Sequence, residues 1–300
     1  MDDLKGQVEA LFVGQLNDWQ LFADRYAALM SRNERVLNLN IAGDTVPLLV
    51  CDNPARLLST TARVNMERAR EDTSATHCML CHHNRPAGQR ALPWHGRRDM
   101  EVLVNPYPIV DRHFTVATVE HCPQCLDRDT LSDMLSLTGL LPDYAVSYNG
   151  PRCGASIPWH LHLQAFPVKH TLLGTIATEA SPLTRVVGKL PVTAYIVAGV
   201  DDVMMIDEVL TFIGQLRGDS TLEPMLNAVA WKSRDITCLA VMPRAHHRPA
   251  NFGVGQGQLL WSPGILDLLG VVTLPRREDY DNLTVASALD VYNYIAYSLP

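Results

Sequence analysis

The sequence predicts an α+β fold of antiparallel sheets with packed helices, and three observations predict it. Short apolar or alternating segments recur between Pro, Gly and Asn breaks, the pattern of strands. Longer stretches carry apolar residues at three- and four-residue spacing, the pattern of helices laid on a core. With 300 residues and 33.3 kDa the chain can bury a substantial hydrophobic interior without help from metals or disulfides.

The elements follow in order. Residues 8–30, VEALFVGQLNDWQLFADRYAALM, place Leu11, Phe12, Leu16, Trp19, Phe22, Tyr26 and Leu29 along one side of an amphipathic helix. Segments 45–51, 100–104, 113–119, 144–148 and 159–166 read as strands. Residues 127–141 form a helix with Leu131, Met134 and Leu135 inward, stopped by Pro142. Beyond residue 170, TAYIVAG (193–199) and ITCLAVM (236–242) are strands, 201–216 is a helix, and 277–297 contains a last one. Gly174, Ser181 and Pro182 interrupt the pattern. The expected organisation is an N-terminal helical extension over 1–45, a catalytic domain over 46–175 and, over 176–300, a C-terminal domain that either repeats the catalytic domain's fold or completes the substrate site.

Charge excludes some partners. A formal net charge of −7, a pI of about 5.8 and 19% charged residues leave no basic field to hold a nucleic-acid backbone. No apolar run approaches the roughly 18 residues that signal a membrane span. The opening MDDLKGQVEALF is acidic and amphipathic, unlike a secretory leader, so a cytoplasmic location is expected. Seven cysteines, four of them in two Cys-x-x-Cys pairs, fit that expectation and argue against a complete disulfide framework.

The chemistry concentrates in IPWHLHLQAF, 157–166. On a strand, His160, His162 and Gln164 share one face while Trp159, Leu161, Leu163 and Ala165 enter the core. Two same-face histidines need partners if buried, so core filling explains them poorly, whereas metal binding or catalysis explains them well. The preceding YNGPRCGAS supplies Gly150 and Gly154 for tight backbone turns and Asn149, Arg152 and Ser156 as donors, a combination that can cradle phosphate oxygens.

Two further clusters stand out. THCMLCHH offers Cys78 and Cys81, and EHCPQCLD offers His121, Cys122 and Cys125. Zinc held by the first pair needs two more ligands, and both completions are open: Cys122 with Cys125, or His121 with His160. Unligated reduced cysteines are the plain alternative. In PRAHHRP, the group Arg244, His246, His247 and Arg248 reads either as a solvated basic loop or as a pocket for a phosphate. Arg56 can reach the same ligand or close an internal salt bridge. Asn105 and Tyr107 are placed to approach a base or ribose.

The stretches NPYPIVDRHFTVATVEHCPQ (105–124), YNGPRCGASIPWHLHLQ (148–164) and CLAVMPRAHHRPANF (238–252) resemble the histidine-triad (HIT-like) superfamily. So do DNPARLLSTTAR (52–63) and WSPGILDLLGVVTLPRREDY (261–280). The resemblance is to the transferase branch, which contains galactose-1-phosphate uridylyltransferase, diadenosine tetraphosphate phosphorylase and plant GDP-galactose phosphorylase. It implies HIT-like antiparallel sheets in two related halves. It implies that His162 attacks the phosphorus next to a nucleoside, that Gln164 contacts a phosphate oxygen and favours transfer over hydrolysis, and that Asn149, Gly154 and Ser156 contact phosphate, with Arg152 a local addition. It also implies a structural zinc on Cys78, Cys81, His121 and His160, the last being the first histidine of the catalytic motif, and no organic cofactor. The sequence departs from the uridylyl branch in reading His-Leu-His-Leu-Gln without a proline.

The expected activity is cleavage of an NDP-sugar or dinucleoside polyphosphate through a nucleotidyl-histidine, with inorganic phosphate as acceptor and a nucleoside diphosphate as product. Transfer to a hexose 1-phosphate, or a non-catalytic zinc-stabilised nucleotide-binding protein, are the alternatives. The expected partners are a nucleotide or nucleotide-sugar and phosphate, with no nucleic acid and no membrane; a homodimer stays open.

Overall fold

The computed structural model describes residues 3–57, 60, 75–176 and 179–297; of the DNPARLLSTTAR stretch, residues 58–59 and 61–63 lie outside the described residues. The chain opens with α1 (Leu4–Asp18) and α2 (Gln20–Met30), where the sequence predicts one helix over 8–30. The break falls at Trp19, whose φ of −120° and ψ of 92° are extended. Asn17 and Asp18 before it are weak helix formers, and the bend lets the indole stack on Phe22 at 5.9 Å in the core.

A hairpin follows, β1 (Glu34–Ile41) against β2 (Asp44–Asp52). Its two-residue turn, Ala42–Gly43, has both φ values positive, 52° and 90°, the geometry that matches strand twist. β12 (Val271–Leu274) adds in parallel to β2, making a three-stranded sheet from the two ends of the chain.

The main sheet has nine strands in the order β3-β4-β5-β7-β6-β10-β11-β9-β8, all pairs antiparallel. The strands are β3 (Ala91–His95), β4 (Asp99–Val104), β5 (Phe114–Thr118), β6 (Tyr144–Asn149), β7 (His162–Pro167), β8 (Ser181–Val186), β9 (Ala194–Gly199), β10 (Leu226–Ser233) and β11 (Ile236–Pro243). One topology occurs twice: two strands, then α3 (Arg128–Leu140), then β6 and β7; two strands, then α4 (Asp202–Arg217), then β10 and β11. The second set lies in reversed order across the β6–β10 pair, which joins both into one sheet. The expected boundary at 175/176 falls in the connection between β7 and β8. Pro182 sits on β8, an edge strand, where a missing N–H costs least.

Each sheet face carries its own core. On one side α1, α2, α3 and α4 cover Phe114, Val116, Val146, Leu163, Ala228 and Val241. Asp127 caps α3 by accepting from the Thr130 N–H, and Asp201 caps α4 by accepting from Val203 and Met204. On the other side the three-stranded sheet, α5 (Ile265–Leu268), α6 (Arg277–Asn282) and α7 (Val285–Ile295) cover Ala145, Phe166, Val229 and Ala240. The last helix expected within 277–297 is α7; α6 ends before it because Leu283 is extended and Thr284 starts a new N-cap with Ser287. No helix among the described residues is long and apolar enough to cross a membrane.

Candidate active site and metal centre

The sequence expects a strand from residue 159, but β7 begins at His162. Pro158 and the turn before it keep His160 and Leu161 out of the ladder. The gap is filled by a side chain: the Gln124 carboxamide accepts from the His162 N–H at 2.8 Å and donates to the His162 carbonyl at 2.9 Å and the Asn149 carbonyl at 3.0 Å. Gln124 thus completes the pairing of β7 where no neighbouring backbone does, between the ends of β6 and β7. Gln124→Ala leaves those buried groups without partners and is expected to cost about 2–4 kcal/mol. Urea unfolding checks this, and a loss below about 1 kcal/mol would contradict the role.

His162 is buried, and its Nδ1 lies 2.8 Å from the His160 carbonyl. A carbonyl only accepts, so Nδ1 carries the proton and Nε2 keeps its lone pair. Burial holds the imidazole below its ordinary pKa against that hydrogen bond, so the ring is neutral at pH 7. It lies on the wall of a cavity of about 530 Å³, together with Gln164, Arg56, Asn105, Gly154 and Ser156. That volume suits a small ligand. Much of the rest of the lining is apolar, with Leu21 of α2, Met79, Leu80, Leu103 and Ile157. Tyr107 is also there, its ring capped at 4.0 Å by the Arg25 guanidinium, which donates to the Pro106 carbonyl and the Tyr107 hydroxyl.

Gly154 has φ +112°, and a Cβ there would lie 2.9 Å from Asn149 Oδ1, so this turn requires glycine. Burial lowers the Arg56 guanidinium from its ordinary pKa while Asp267 supports its charge. A cation lining the same cavity as His162 favours an anionic ligand.

Among the described residues one group of side chains can hold a metal ion: Cys78, Cys81, His121 and His160, with all four ligand atoms within 4.8 Å of one another. Tetrahedral zinc, bonded at about 2.3 Å to sulfur and about 2.0 Å to nitrogen, separates unlike ligands by about 3.5 Å. The sulfur–nitrogen distances are 3.2 Å (Cys78–His160), 3.2 Å (Cys81–His121) and 3.6 Å (Cys81–His160). The donor set therefore fits zinc. His160 donates its other nitrogen to the Thr118 carbonyl at 2.8 Å, leaving Nδ1 for the metal. Burial, aided by the Cys78 sulfur, pushes the Cys81 thiol up to about 11, and burial brings His160 down to about 4. Loading the site therefore releases thiol protons.

The four-cysteine completion is not what the fold assembles. Gln124 is anchored between β6 and β7 and carries Cys125 away from the cluster, where it is exposed; Cys122 sits 3.5 Å from the Thr118 hydroxyl. Nor does His160 share the cavity with His162, because it leaves the strand for the metal cluster.

The remaining expected residues are placed elsewhere. Asn149 is buried and its side-chain oxygen accepts from Asn227 at 2.7 Å and from the Ile265 N–H at 2.9 Å. Arg152 donates to the Glu223 carbonyl. Arg244 is buried and donates to Asn227 and the His247 carbonyl; His246 stacks on Tyr294 at 4.2 Å; Arg248 lies 4.2 Å over Phe252 and donates to Ser262 and the Thr60 carbonyl. Burial, with the Arg248 and Arg244 charges, brings His247 down to about 3. None of these lines the cavity. Asn105 does, yet its oxygen accepts from the Tyr107 N–H and its nitrogen donates to Thr115, so it shapes the turn.

The fold is an α+β arrangement of antiparallel sheets with packed helices, consistent with a HIT-like architecture. Crystal structures of yeast Ap4A phosphorylase Apa2 have the same fold. One matches with TM-score 0.61 and 18% identity over 94% of this chain and 97% of that one. The structure in complex with AMP matches with TM-score 0.59 and 17% identity over 99% and 97% of the two chains. That in complex with Ap4A gives 0.57 and 18% over 99% and 98%. A family model described as a domain of unknown function, DUF4922, matches residues 11–167, and the chain belongs to that family. No curated protein matches in sequence.

Proposed function

We propose that this chain is a zinc-stabilised nucleotide-binding protein whose cavity receives the phosphates of an adenine nucleotide beside His162, and that it uses this histidine for nucleotidyl transfer. Binding rests on the cavity, on Arg56 and on the likeness to a fold whose crystal structures are described with AMP and Ap4A. The Cys78–Cys81–His121–His160 cluster supports a structural metal: all four positions are taken by protein and none faces the cavity except through the Met79–Leu80 segment. When bound, zinc supplies cross-linking of the loops that carry these residues.

The single observation that carries the catalytic part is the neutral His162, its Nδ1 proton committed to the His160 carbonyl, on the wall of the cavity that Gln164 also lines. In the proposed reaction Nε2 forms a bond to the innermost phosphorus of a dinucleoside polyphosphate while the anhydride P–O bond breaks and its electron pair leaves with the oxygen. Gln164 and Arg56 offset the phosphate charge. Inorganic phosphate then attacks that phosphorus, returning the electron pair to Nε2 and releasing a nucleoside diphosphate. An NDP-sugar as donor, or a hexose 1-phosphate as acceptor, would use the same steps. Seven free cysteines, two of them in the cluster, fit work in a reducing compartment such as the cytoplasm.

The test is a panel of dinucleoside polyphosphates and NDP-sugars, with and without phosphate, followed by product mass and by the intact mass of the protein. Phosphate-dependent nucleoside diphosphate and an acid-labile nucleotidyl adduct are expected. Saturable AMP binding with no turnover across the panel would leave the zinc-stabilised binding protein and remove the enzyme.

A further inference from the structure

His113 stands just ahead of β5 and is 1% exposed. The Ile109 N–H points at its Nδ1 at 3.2 Å, and its Nε2 lies 3.3 Å from the Gln164 side-chain oxygen. Burial, and then the charge of Arg56, bring its pKa down to about 3, so the ring is neutral and holds one proton. A backbone amide can only donate, so Nδ1 accepts and the proton sits on Nε2. Nε2 must then donate, and Gln164 can answer only with its oxygen. Its NH2 group is thereby turned away from His113. Gln164 is partly exposed on the cavity wall, in the same register as Thr115 across the β5–β7 pair.

We infer that His113 is a positioning residue: it holds the Gln164 carboxamide in the one orientation that presents N–H donors to a phosphate oxygen of the ligand. The inference rests on the nucleotide reading of the cavity. It also explains a buried histidine that the transfer steps do not use. Without the His113 proton the carboxamide can turn over, and its oxygen would then face the phosphate and repel it. The packing of His113 against Phe166, with ring centroids 6.1 Å apart, holds the imidazole plane.

The test is a double-mutant cycle read by AMP and by adenosine in titration calorimetry. His113→Phe keeps an aromatic ring at the position while removing both ring nitrogens, and is expected to weaken AMP about tenfold while leaving adenosine unchanged. In a Gln164→Ala background the same change should have no further effect on AMP, because the group it orients is gone. Equal weakening of AMP in both backgrounds, or equal weakening of AMP and adenosine, would overturn the role while leaving the nucleotide site standing. Binding of neither ligand by the unaltered chain would overturn both. A measurement that needs no variant stands beside it: nitrogen NMR of the unaltered protein should show the His113 proton on Nε2 from pH 5 to 8, and a proton on Nδ1 would refute the geometry.

Discussion

Replacing His162 by alanine is expected to abolish the proposed nucleotidyl transfer, lowering turnover at least about 10⁴-fold, because the atom proposed to attack is removed. The adduct expected in the intact mass should vanish with it. Affinity for AMP should change by no more than about threefold, since Arg56, Gln164, Tyr107 and the apolar wall remain. Metal content should not change, because the cluster binds through the His160 side chain and the His160 carbonyl only loses one donor. Steady-state turnover with melting temperature and zinc content on the same preparations separates these outcomes. Product formation that survives the substitution would remove His162 as nucleophile.

Stripping the metal is expected to have the second large effect, on stability and on ligand affinity together. The cluster joins Cys78 and Cys81 to His121 and His160, segments far apart in sequence. With free zinc at about a thousand times its dissociation constant, metal binding contributes about 4 kcal/mol to the folded state. For a chain of this length that is roughly 6 °C in melting temperature. The loop between the two cysteines is also the cavity wall: Met79 and Leu80 line it, and Arg85 holds the Leu80 carbonyl through Nε at 2.9 Å and Nη2 at 2.7 Å while pairing with Glu101 at 2.6 Å. Losing that apolar surface should weaken AMP about tenfold. By reciprocity, AMP should slow zinc release to a chelator by favouring the loaded form. Unchanged melting and unchanged AMP affinity after complete chelation would show that the cluster neither braces the fold nor shapes the cavity. Cys81→Ser should mimic chelation, and Cys125→Ser should not.

Much of the architecture was readable from local patterns. The strands at 45–51, 100–104 and 236–242 and the helices at 127–141 and 201–216 differ from the observed elements by one or two residues at their ends. These segments combine clear periodicity with clear stops. β1, β3, β8, β10 and β12 went unread, β12 because four residues give too little period, β8 because Pro182 and a bulge interrupt it. The break at Trp19 leaves no mark in the 8–30 pattern, because periodicity is blind to a single extended residue.

The site divides in the same way. The pair of histidines with glutamine, the glycine of the tight turn and the Cys-x-x-Cys pair are local spacings, and the sequence by itself determined them: two sulfurs on one turn, and an imidazole two residues before a carboxamide on a strand. Which partners those groups meet was decided only in three dimensions. His121 and His160, not Cys122 and Cys125, complete the metal set because Gln124 anchors its segment in the gap before β7. Arg244 and Asn149 became internal braces because burial gave them Asn227 as partner. His113 meets Gln164 because β5 pairs with β7, across 51 residues of sequence. Spacing records what one short stretch can offer; tertiary structure chooses among offers, because long-range contact depends on strand register and on which polar groups must find partners once water is gone.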